Sequence, residues 1–154
     1  MTRRRRRITV GWREWAALPE LAIPAIKVKV DTGARTSALH AVHLRPFTAE
    51  DGRHRISFDV HPYQRRGRPT VHCVADLVGH FQVTSSTGHQ EARPVIRTLV
   101  TLGGDQWPID LTLTNRDTMG FRMLLGRRAM RRRLVVDPSA SFLSGRPDDP
   151  DLDF

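Results

Sequence analysis

The sequence is poor in cysteine, lysine and aromatics: among 154 residues there is one cysteine, and phenylalanine, tryptophan and tyrosine together make 6%. With Cys73 alone, no intrachain disulfide can form and a four-cysteine zinc site is excluded. No apolar run approaches the ~20 residues a bilayer-spanning helix needs, and the arginines of residues 3–7 are not followed by an apolar leader segment. Together these absences predict a reduced, cytoplasmic protein that does not span a membrane. Helical periodicity is also scarce, which leaves the fold to strands.

The composition that remains is that of a globular domain, with 27% charged and 39% hydrophobic residues. Basic residues outnumber acidic ones, 25 to 16, for a formal charge of +9. Lys27 and Lys29 are the only lysines, so the cation is almost always arginine. Arginine fills residues 3–7, and Asp148, Asp149, Asp151 and Asp153 crowd the other end. This predicts a disordered basic arm over residues 1–7, one domain over 8–145 and a disordered acidic tail over 146–154. A basic body suits nucleic acid or acidic peptides, or simply keeps the chain soluble. Few aromatics lie among the arginines to stack bases, so nucleic acid is not the expected partner.

Period-two alternation dominates the body. Residues 26–30 read Ile-Lys-Val-Lys-Val, residues 55–60 and 70–74 alternate similarly, and residues 134–137 read as a late strand stopped by Pro138. Residues 95–102 and 107–114 flank Gly103-Gly104-Asp105, a hairpin signal. The single helical candidate is residues 127–132, after Gly126. Many short strands with 10 prolines and 11 glycines predict an all-β closed barrel with one short C-terminal helix.

The chemically informative stretch is residues 26–37, IKVKVDTGARTS. An alternating strand delivers Asp31 at its end, and Thr32, Gly33 and the small Ala34 turn the chain immediately. A chance Asp-Thr-Gly would occur in roughly one in thirty chains of this length. The preceding strand and following Ala34 make the segment more specific than the triplet. It resembles the Asp-Thr-Gly-Ala active-site loop of retropepsin-like aspartic proteases. Such half-size proteases carry a second signature, two apolar residues and a glycine before a short helix, here matched by Leu124, Leu125 and Gly126.

A longer resemblance rests on Gly11-Trp12-Arg13-Glu14-Trp15, Leu18-Pro19-Glu20-Leu21, Pro24-Ala25-Ile26-Lys27 and residues 31–40, with residues 111–116 and the Leu-Leu-Gly-Arg segment. On these the chain resembles the bacterial family labelled "ATP-dependent zinc proteases", encoded beside or fused to ATP-grasp ligases that add glutamate to proteins. The resemblance implies a retropepsin-like barrel in which Asp31, Thr32 and Gly33 are catalytic, and an ATP-grasp ligase as a partner.

The residues themselves do not carry the zinc or ATP of that label. There is no His-Glu-x-x-His and no phosphate-cradling Gly-x-x-x-x-Gly-Lys. In an extended chain His40 and His43 point to opposite faces. No cofactor is therefore expected. Were zinc held, His40, His43 and Cys73 with a distant acid would be the ligands to test.

Aspartic proteolysis needs two carboxylates around one water, one ionised and one protonated. One Asp-Thr-Gly per chain therefore demands a homodimer, with Thr32 hydroxyls bonding across beneath the pair. Residues 83–93 make the best flap, in which Ser85, Ser86 and Gly88 would bind an extended peptide and Glu91 and Arg93 flank it. Ala34 leaves room for substrate, and Arg35 would either meet an acidic substrate or pair with Glu91 or Asp59. The expected activity is an aspartic-type peptidase acting on peptides or acidic protein tails, glutamylated ones included. Two other readings stand beside it: a catalytically silent peptide-binding partner of an ATP-grasp ligase, and a basic RNA- or ribosome-binding protein.

Overall fold

The structure is a computed structural model that describes residues 6–63, 70–84, 86–115 and 120–145. Apart from Arg6 and Arg7, the expected arm and tail lie outside these residues. Among the described residues eleven strands follow in order: β1 (Ile8–Val10), β2 (Arg13–Leu18), β3 (Ile23–Val30), β4 (Ser37–His40), β5 (Val42–Thr48), β6 (His54–Val60), β7 (Val71–Thr84), β8 (Gln90–Leu102), β9 (Asp105–Thr114), β10 (Met123–Leu125) and β11 (Leu134–Val136). A 3-10 turn (Pro19–Leu21) separates β2 from β3, and one helix, α1 (Arg127–Met130), separates β10 from β11.

Six strands close into a barrel in the order β2-β3-β10-β4-β9-β8, with Ala17 of β2 pairing Thr101 of β8 to complete the ring. The sheet continues beyond β8 through β7, β6 and β5. The alternation read from the sequence maps onto burial. In β3, Ile26, Val28 and Val30 are buried while Lys27 and Lys29 are half-exposed, and in β6 Ile56, Phe58 and Val60 face inward. These side chains join Leu111, Leu113, Met123 and Leu125 in one continuous core. The β8–β9 hairpin turns at Gly103 and Gly104, whose φ angles of 61° and 82° are those of the two-residue turn the sequence signals.

Two expected elements differ in length. The helix stops at Met130 because Arg131 takes an extended ψ of 125° and Arg132 a φ of 66°. Strand β7 runs on to Thr84, far past the expected residue 74, carried by its pairing with β8.

The first and last parts of the chain are held together. Strands β1 and β11 pair in parallel, Trp12 N–H donates to the Ala140 carbonyl and Phe142 N–H to that of Arg13. Trp15 is buried against Phe142, and Trp12 meets Phe121 edge-on, so both tryptophans serve packing in this subunit. At the centre of this seam is Glu14, fully buried. Its carboxyl accepts from the N–H of Gly11 at 2.7 Å, Leu143 at 2.9 Å and Ser144 at 3.0 Å. A buried carboxyl is tolerated only with such partners, and the amides in turn depend on it. Glu14→Ala should lower unfolding stability by about 3 kcal/mol, since it strands the buried Gly11 N–H, releases residues 143 and 144 and leaves a cavity. Denaturant titration of the variant against the parent measures this.

Candidate active site

Strand β3 delivers Asp31 at its C-terminal end, where the chain turns through Thr32 and Gly33. The turn is closed locally: Gly33 N–H donates to Asp31 Oδ1 at 2.9 Å and Ala34 N–H to the Asp31 carbonyl at 3.2 Å. The rest of its support comes from β10 and α1. Strand β10 lies between β3, to which it is parallel, and β4, to which it is antiparallel. Asp31 N–H donates to the Leu125 carbonyl at 2.9 Å, and the N–H of Arg127 and Arg128 to the carbonyls of Ala34 and Arg35. The Arg127 guanidinium donates to the Thr32 carbonyl at 3.0 Å.

Gly126 is the pivot. Its N–H donates to the hydroxyl of buried Ser37 at 3.0 Å, and a Cβ built there would lie 2.4 Å from the Thr36 carbonyl oxygen. Only glycine permits so close a backbone approach. Leu124, Leu125 and Gly126 thus hold the loop that carries Asp31. Within that loop Asp31 is half-buried, and Thr32 and Gly33 are exposed at its tip. Beside Thr32 lie Met130, Leu134 and Val136, rimmed by Arg7, Arg127, Arg131 and Arg132. The hold of Arg127 on Thr32 and that of Ser37 on Gly126 were not expected from the sequence; for Arg127 the position offered little beyond its Leu-Leu-Gly-Arg context.

The proposed flap corresponds to the distal part of the β7–β8 hairpin, which pairs as far as Thr84 and Gln90. Ser86 and Gly88 are exposed at its turn, with Gly88 at a φ of 81°. Ser85 lies outside the described residues. Glu91 and Arg93 form an ion pair at 3.6 Å on β8. Ala34 is half-buried and Arg35 exposed at the end of the Asp31 loop. The two carboxylates considered as partners for Arg35 engage elsewhere, Glu91 with Arg93 and Asp59 with two histidines.

The residues named for zinc are distributed over different environments. His40 is half-buried at the end of β4, while Cys73 is buried and its thiol faces the carbonyls of Leu21 and Val71. Burial pushes that thiol up to about 12, so it is neither a ready ligand nor a nucleophile. The chain breaks from β4 to β5 at Ala41, and His43 sits at a β5 irregularity with a φ of 56°. Its Nδ1 meets Asp59 Oδ2 at 2.8 Å, and His72 Nδ1 meets the other Asp59 oxygen. Among the described residues no three His, Cys, Asp or Glu side chains gather as a metal site. Nor is any described helix long and apolar enough to cross a membrane.

Comparison with known proteins agrees with the barrel fold. Residues 9–147 match the family described as RimB-like, "Retropepsin-like aspartic endopeptidase RimB". Relatives named "Probable alpha-L-glutamate ligase" occur in Shewanella pealeana, 47% identical over 94% of this chain, and in Desulfotalea psychrophila, 48% identical over 84%. The chain spans less than a third of those relatives, 31% and 28% of their lengths. A crystal structure of a protein with unknown function (DUF785) from Legionella pneumophila superposes with a TM-score of 0.73 at 27% identity, covering 88% of this chain and 97% of that one.

Two outcomes follow from the contacts around the loop and the hairpin base. Gly126→Ala should cost about 1–3 kcal/mol by overpacking against Thr36 and should speed amide exchange at residues 31–35, read by hydrogen-exchange mass spectrometry. Hydrogen bonds first from His43 and then from His72 hold the Asp59 carboxyl below the usual carboxylate range. That contribution is present above the unfolded value, near pH ~4, and is lost as the pH falls through the lower folded one. Asp59→Asn should therefore melt below the parent near pH ~7, with the difference vanishing toward pH ~2.

Proposed function

Because this chain belongs to the RimB-like family of retropepsin-like aspartic endopeptidases, we propose that it is an aspartic peptidase working as a homodimer, each copy supplying Asp31 to one shared site. The observation that carries the reading is the placement of Asp31. Its loop is fixed from behind by β10, Gly126 and Arg127, while its Thr32-Gly33 tip is exposed rather than walled off inside its own subunit.

In the dimer the paired carboxylates share one proton, since like charges in contact do not both ionise. The ionised Asp31 takes a proton from a water held between them. That water attacks the scissile carbonyl, and the protonated partner donates to the carbonyl oxygen. The Gly33 N–H, bonded to Oδ1, holds the carboxyl in register for this exchange. Thr32 hydroxyls bond across the two-fold axis below, and the β7–β8 hairpin lies over substrate, which adds to it as an extended strand.

The substrates are peptides or acidic protein tails, glutamylated ones included, and an ATP-grasp ligase is a partner. Net charge of +9 favours acidic chains, and the glutamate-ligase names of the relatives support both assignments. Those names also favour a second reading, in which the chain binds acidic peptides for a ligase without cleaving them.

A purified chain with quenched fluorogenic peptides separates the two. Under the first reading Asp31→Asn lowers kcat/KM at least ~100-fold while sedimentation velocity shows the same dimer as the parent. A parent that turns over peptide only as a monomer, or a variant that keeps full activity, overturns it. Peptide affinity without turnover anywhere from pH ~4 to ~8 selects the second.

A further inference from the structure

A groove of about 570 Å³ lies between the stem of the β7–β8 hairpin, β9 and α1, and reaches Thr36 and Ser37 beside the Asp31 loop. Its floor is apolar. Trp107 and Ile109 are 3% and 5% exposed, Val95 and Ala129 adjoin them, and Phe81 stands 41% exposed at one edge. Its remaining charged lining is four arginines and one carboxylate, Asp110.

Two of these arginines are already committed. Arg97 forms a forked pair with Asp110, at 2.9 and 3.4 Å. Arg133 reaches Asp105 at 3.4 Å and covers the Trp107 ring at 5.1 Å. Arg128 and Arg131 are exposed, and neither forms an ion pair among the described residues. They stand three apart across α1 and its end, the spacing that sets two side chains on one side of a helix. Their neighbour Arg127 reaches the Thr32 carbonyl, and Arg131 stands between this groove and the cleft beside Thr32. The groove therefore combines a largely apolar floor, with Thr112 and Ser37 beside it, and two exposed guanidinium groups that form no ion pair among the described residues, next to the loop that carries the candidate catalytic carboxyl.

We infer that this groove is a glutamate-reading subsite, in which the floor takes the methylenes of a glutamyl side chain and Arg128 and Arg131 take its carboxylate. Guanidinium forks match carboxylates in geometry as well as charge, and a bound anion relieves the repulsion between the two cations. Glutamate supplies both halves of this match, whereas glutamine supplies the methylenes and no charge. The subsite deepens the peptidase reading and rests on it only for what happens to the bound chain. Arg128 and Arg131 select substrate; they take no part in the bond-breaking step.

The test uses a fluorescein-labelled peptide bearing consecutive glutamates and its glutamine counterpart, with binding to the Asp31→Asn chain read by fluorescence anisotropy. The glutamate peptide should bind at least ~10-fold tighter. Adding Arg128→Ala with Arg131→Ala should bring that preference within ~2-fold, while Arg45→Ala with Arg53→Ala, the same loss of charge on the β5–β6 side, should keep it. No preference at the start, a preference that survives loss of the groove pair, or an equal loss in both double variants overturns the subsite. Cleavage of both peptides by the parent at equal kcat/KM also overturns it and leaves the peptidase reading standing. Groove-dependent binding of the glutamate peptide without cleavage by the parent supports the subsite and removes the peptidase reading.

Discussion

The approach of Gly126 to the Thr36 backbone is the constraint on which the candidate site depends. It allows β10 to lie between β3 and β4, strands that follow one another in sequence but do not pair with each other. The inserted strand buries Met123 and Leu125 in the core and turns the Leu125 carbonyl toward the Asp31 amide. The residues immediately after it cap the carbonyls of Thr32, Ala34 and Arg35. Barrel closure and loop geometry are therefore one event. A loop that would otherwise be free at its tip inherits the rigidity of the core beneath it.

Much of this was legible in the chain because burial on one face leaves a period-two trace. Strands β3, β6, β8 and β9 show it, and the Gly103-Gly104 turn announces its hairpin. Asp31 was legible for a different reason: a carboxyl between an alternating strand and a glycine turn has few bland explanations. Of the shortest strands, β11 was legible over residues 134–137, but β1 and β10 were not. Strand β10 has three residues and no period of its own, and its two partners lie far away in sequence. Strand β1 is defined only after folding, by its pairing with β11. The helix, expected over six residues, ends after four because local backbone preference yields to the turn that returns the chain to β11.

Charges were harder to place than apolar residues. Arg35 drew attention by adjacency to Ala34, yet adjacency in an irregular loop says little about direction. The arginines after Gly126 stand close together in sequence, while the fold sends them to separate places. Arg127 holds Thr32, Arg133 covers Trp107 and pairs with Asp105, and Arg128 and Arg131 face the groove. Similarly, Asp59 shows no motif in sequence. It bridges His43 and His72 only because β6 lies between β5 and β7. Glu14 stands in the Gly11–Trp15 run, but two of its three amide partners are those of residues 143 and 144, brought back by tertiary structure.

The order in which the clamp is assembled has a consequence for synthesis on the ribosome. Asp31 is polymerised early, whereas the Leu125 carbonyl, Gly126 and Arg127 that fix its loop arrive only when most of the domain has been made. The amides that satisfy Glu14 come later still. While this domain is being made, the Asp31 loop thus stands for most of that time without the scaffold that orients it. The domain's long-range pairings delay maturation until residues near 145 have left the exit tunnel.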